Sequence, residues 1–118
     1  MTGQFNPWTY HDLIERQHRL PESVAGPLEF LISAPEVVRV ILFGSRAVGD
    51  HDDRSDVDIA ISAPTLSKKG LVDLRDAIGQ SRTLFKISIS VLERMPPSLK
   101  DRVISQGVYL YERAQTEG

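Results

Sequence analysis

Between residues 56 and 62 the chain alternates without a break, Asp56, Asp58 and Ala60 against Val57, Ile59 and Ile61. A period of two belongs to a strand, because successive side chains leave a pleated backbone on opposite faces. The segment therefore demands a sheet with an apolar cover on one side, and it leaves two carboxylates on the other. Two further stretches can lie beside it. Residues 37–43 form a β-branched run between Pro35 and Gly44 and predict a buried strand. Residues 85–91 alternate again, with Phe85, Ile87, Ile89 and Val91 on one face and Lys86, Ser88 and Ser90 on the other.

Helical spacing fills the intervals. Thr9 and Asp12 resemble an N-cap pair, and Tyr10, Leu13 and Ile14 follow at i, i+3, i+4, which predicts a helix over 9–19. Val24, Leu28, Leu31 and Ile32 share a face over 22–33, where Gly26-Pro27 either kinks the helix or marks its start. Leu71, Leu74 and Ile78 predict a helix over 67–79. Pro96-Pro97 leads into another over 97–106, with Gly107 in the usual position beyond its end and an extended piece at 108–111.

These elements predict an α/β (α+β) fold, a small mixed sheet of three to four strands with helices packed on one face. A length of 118 residues suits one domain. Residues 1–20 are read as an N-terminal helical extension, 21–113 as the domain and 114–118 as a tail.

The formal net charge of −2, with 41% hydrophobic and 25% charged residues, excludes a disordered chain and argues against autonomous nucleic-acid binding. That average hides a concentration. Five of the nine aspartates fall within residues 50–58, a window of formal charge −4, and the remainder of the chain carries +2. No cysteine is present, so disulfides and thiolate chemistry are excluded. Neither a signal peptide nor a bilayer-length apolar run occurs, and a cytoplasmic protein is expected.

The chemistry-bearing constellation joins the first strand to the second. The β-branched run enters Gly44-Ser45-Arg46-Ala47-Val48-Gly49, and Asp56-Val57-Asp58 follows. A glycine at a strand end lets a phosphate approach the backbone, the serine offers a hydroxyl, and Arg46 offers positive charge. Two aspartates at i and i+2 on a strand point the same way, about 6–7 Å apart, and hard oxygen donors suit Mg²⁺. Gly-Ser alone is only a turn. Asp-x-Asp alone is usually a solvated edge. Asp50, Asp52 and Asp53 read as loop residues and His51 as exposed.

Gly-Ser-Arg-Ala-x-Gly followed by Ser-Asp-x-Asp resembles the signature of minimal nucleotidyltransferases, the small branch of the DNA polymerase beta-like superfamily. Residues 40–43 and 106–113 are also similar to that group. The resemblance implies a nucleotidyltransferase-like fold in which Gly44, Ser45 and Arg46 hold the phosphates of ATP. It implies Mg²⁺ on Asp56 and Asp58, and catalysis by Ser45, Asp56 and Asp58. Members this small are typically antitoxins encoded beside a HEPN-domain toxin, and some transfer AMP to a tyrosine of that partner. Homo- or hetero-oligomers are both compatible with it, and no membrane is involved.

One position departs from the pattern. The family usually takes a third carboxylate from the strand after the middle helix, and alignment puts Ser88 there. A neutral hydroxyl is a poor metal ligand and no base at pH 7. Glu93 lies beyond that strand, with the wrong parity for its polar face. The alternative expectation is therefore a weak or inactive subunit that neutralises the HEPN partner by complex formation alone.

Overall fold

The computed structural model describes residues 22–49, 55–81 and 83–113. The helix expected over 9–19, the tail at 114–118 and Asp50 to Asp53 lie outside them. The alternating segment is a strand, β2 (Val57–Ser62), with Asp56 just before its first residue. It runs antiparallel to β1 (Arg39–Phe43), which in turn pairs antiparallel with β4 (Val108–Glu112). On its other side β2 pairs in parallel with β3 (Ile87–Val91), so the sheet order is β3-β2-β1-β4. Parallel neighbours need a crossover, and α3 (Lys68–Gly79) supplies it. Ser67 caps that helix, its hydroxyl accepting from the Gly70 amide at 2.9 Å.

Helix α1 (Ala25–Ser33) does not start at Pro27. A 3-10 turn over Glu22–Val24 leads straight into it, and Pro27 is its third residue. Amides in a first turn have no intrahelical acceptor, so a proline there removes no bond. A single helical turn, α2 (Ser45–Val48), joins β1 to the loop before β2.

The main core lies between α1 and α3 and one sheet face. Leu28 and Leu31 of α1 and Leu71, Leu74 and Ile78 of α3 meet Val40, Leu42, Val57, Ile59 and Ile61, and the strand residues there are wholly buried. This is the helical layer that the alternation required. The opposite face is not uniformly polar, as the strand pattern alone suggested. Ile41 and Ala60 are covered there by Leu92, from a 3-10 turn over Leu92–Arg94, and by Val103 of α4 (Pro97–Gln106). Gly107 ends α4 in an extended conformation, not the left-handed one usual after a helix. Its lack of a side chain serves packing, since a Cβ would collide with Ile41 and the Val103 carbonyl. Helix α4 can thus sit close on β1, and the uncovered part of this face is the end that carries Asp58.

Candidate active site

Gly44 is where the two halves of the constellation touch. It closes β1 with φ 78° and ψ −158°, a backbone region that side chains disfavour. A Cβ at this position would run into the Asp58 carboxylate. The strand register explains the proximity, because Phe43 is the β2 partner of Asp58. Beyond Gly44, the amides of Ala47 and Val48 return to its carbonyl at 3.0 and 3.3 Å, and Gly49 ends the turn at φ 82°. The register of the paired strands thus brings the end of β1, at Gly44 and Ser45, beside Asp58.

Asp58 is half-buried and Asp56 exposed. Burial pushes the Asp58 carboxyl above its usual range, the charge of Asp56 pushes it further, and the Lys86 ammonium pulls it back in part. A divalent cation would relieve the repulsion between these two acids. Among the described residues, no group of three or more His, Asp or Glu side chains could hold a metal. Two carboxylates nevertheless fit Mg²⁺, which often takes only one or two and fills its shell with water and phosphate oxygens.

Ser88 is the residue that stands beside Asp58 on β3, in direct parallel register. Residues in register across parallel strands share a face, with their strands about 4.8 Å apart. Glu93 requires a different account from the parity argument. The strand has already ended in a 3-10 turn, and the Glu93 carboxylate turns back to accept from the Ser62 hydroxyl at 2.5 Å and the Ala63 amide at 3.0 Å. It therefore reaches the same sheet face as Asp58. It does so four residues further along β2, about 13 Å away, where it ties β2 to the turn.

Arg46 is 2% exposed. Its Nε donates to the Ser55 carbonyl at 3.0 Å, and its guanidinium carbon lies 5.3 Å from the centre of the Phe85 ring. The side chain thus fastens α2 to the residues entering β2 and β3. Ser45, by contrast, lines a cleft of about 390 Å³ with Phe43 and Gly44, whose far wall is Leu99, Arg102 and Gln106 of α4. Sequence reasoning did not single out Arg102 or Gln106. Their i, i+4 spacing shows that they share a helical face, but only the packing of α4 shows which one.

This arrangement can be set beside known proteins. The family described as polymerase beta nucleotidyltransferase matches residues 28–116. The chain belongs to that family. A solved toxin–antitoxin with AMP-PNP shares its fold at 24% identity and a TM-score of 0.60, over 76% of this chain and 71% of that one. The toxin–antitoxin MntA-HpeT, in a mutant with two aspartates changed to glutamate, aligns at 22% identity and a TM-score of 0.59, over 79% and 74%. A presumptive nucleotidyltransferase from Sulfolobus solfataricus aligns at 25% identity and a TM-score of 0.53, over 83% and 85%. No curated protein matches at a significant level. Among the described residues of this nucleotidyltransferase-family chain, no helix is long and apolar enough to cross a membrane.

Proposed function

We propose that this protein is a Mg²⁺-dependent nucleotidyltransferase that acts as the antitoxin of a HEPN/MNT pair. It would transfer AMP from ATP to a hydroxyl of the partner toxin in the cytoplasm. The observation that carries the reading is the packing of Asp58 directly against Gly44, which joins a phosphate-approach point to a carboxylate pair. The toxin–antitoxin architecture of two fold neighbours, one of them with AMP-PNP, supports the choice of partner and nucleotide.

In this reading Gly44 and Ser45 receive the β- and γ-phosphates, and Asp56 and Asp58 hold Mg²⁺. Bound there, the metal would offset charge on the phosphates during in-line displacement. Arg46 acts from beneath, holding the turn and the Asp56 approach in place. The acceptor oxygen bonds to the α-phosphorus and the bond to the β-phosphate bridge breaks. Pyrophosphate leaves with the electron pair, and the hydroxyl proton passes to water.

Ser88 favours a second reading, a binding subunit with little or no turnover, because a hydroxyl beside Asp58 adds neither a third charge nor a base. One experiment separates the two. The protein is incubated with labelled ATP, Mg²⁺ and the protein encoded next to it. Transfer of label to that partner is expected, and a stable complex without transfer would replace the enzyme reading with the binding one.

A further inference from the structure

Helix α4 supplies a wall of the cleft for which the motif chemistry gives no role. Gly44 lines this cleft and also packs against the Asp58 carboxylate, so the cleft opens beside the carboxylate site. Among the described residues that line it, Arg102 bears the one charged side chain, and Gln106 lies one turn further along the same face of α4. Across from them stands the Ser45 hydroxyl. Phe43 and Leu99 supply apolar wall, which excludes part of the water and strengthens the attraction of a guanidinium for an anion.

We propose that Arg102 and Gln106 grip the pyrophosphate end of a nucleoside triphosphate, closing over the phosphates that Gly44 and Ser45 receive from the opposite wall. The inference rests on the nucleotidyltransferase reading and adds to it a second set of phosphate donors from α4. Charge and donor chemistry select this occupant. Arg102 only donates, Ser45 can donate, and the Gln106 amide offers two more N–H groups. Converging donors suit a ligand made of acceptors, as phosphate oxygens are, and the planar guanidinium fork matches two of them at once. A nucleoside in the same cleft would be uncharged and would leave the Arg102 guanidinium without a counter-charge.

The test uses the whole chain and three probes with Mg²⁺, namely AMP-PNP, inorganic pyrophosphate and AMP, titrated calorimetrically. Arg102 is exposed, so Arg102→Ala should fold, and an unchanged melting temperature checks this. Affinity for AMP-PNP and pyrophosphate should fall roughly ten- to a hundredfold, the worth of one or two charge-assisted hydrogen bonds, with AMP unaffected. Arg102→Lys should recover part of the loss. Equal loss for AMP would overturn the assignment in favour of a nucleoside subsite. Unchanged pyrophosphate binding, with binding still abolished by Asp58→Asn, would overturn this inference alone. If the unaltered protein binds none of the probes, the nucleotidyltransferase reading fails with it.

Discussion

On one face of β2, Val57, Ile59 and Ile61 are fully buried under α1 and α3. On the other, Asp56 is exposed and Asp58 half-buried, while Ala60 and Ser62 are covered. The contrast divides labour along a single strand. The first set draws stability from leaving water, whereas Asp58 costs stability, since burial and the neighbouring charge of Asp56 both disfavour its charged form. Such a cost persists where a ligand offsets it. The Asp face is therefore expected to be tuned for binding, and the Ile face for folding.

Paired substitutions at adjacent residues would break this comparison most directly. Ile59→Ala should lower the unfolding free energy by about 2–5 kcal/mol in urea titrations, the range for truncating a wholly buried aliphatic side chain. Asp58→Asn should behave in the opposite way. Its folded-state pKa is raised, so the ionised group destabilises the fold at pH values above that pKa. Without metal at pH 7, the Asn variant should be as stable as the native chain or more so. Label transfer should fall by roughly 100-fold or more, since losing a metal ligand exceeds the 10–100-fold cost of losing an outer partner. If Asp58→Asn unfolds as readily as Ile59→Ala, the two faces are not separate in function.

The comparison can also be sharpened by adding charge. Ser88→Asp places a third carboxylate in register with Asp58. Without metal the new repulsion should destabilise the fold by up to about 1 kcal/mol, as like charges on facing strand positions do. With Mg²⁺ and AMP-PNP the sign should reverse, and both metal affinity and melting temperature should exceed those of the native chain. Calorimetry with and without Mg²⁺ reads both. A variant with no metal-dependent gain would show that Ser88 does not stand at the third ligand position.

Much of this was legible in the sequence because it is local or periodic. The alternation over 57–61 names the two faces of β2, and the Gly-Ser and Asp-x-Asp motifs can be read as the facing ends of two neighbouring strands. What was hidden depends on long-range packing. Arg46 looks like a phosphate partner by its place beside Ser45, yet its guanidinium lies against Phe85, 39 positions away, and nothing near Arg46 signals that contact. Arg102 and Gln106 become cleft residues only once Gly107 lets α4 close on Ile41. Parity failed for Glu93 for a related reason, since alternation ceases to predict direction where a strand gives way to a 3-10 turn.

Glu93 supplies the smallest expected effect, at the end of β2 away from the Asp pair. Burial alone would raise its carboxyl, but the Ser62 hydroxyl, the amides of Ala63 and of Glu93 itself, and the charge of Lys100 together outweigh it and hold the group below its usual range. A depressed carboxylate stabilises the fold at pH values above its unfolded pKa, about 4.3. That stability is lost as the pH falls through the lower folded value. Glu93→Gln should therefore cost at most about 1 kcal/mol at pH 7, because the side chain is exposed and its charge is screened. The difference from the native chain should shrink as the pH falls below the unfolded value and through the lowered folded one, beneath which both forms carry a neutral group at this position. Asp58→Asn should show the reverse slope, with its relative stability growing as the pH rises through the raised Asp58 pKa. Opposite pH slopes from two carboxylates on one face of the sheet, read by urea titration across pH, would separate the acid that fastens the fold from the acid that awaits a ligand.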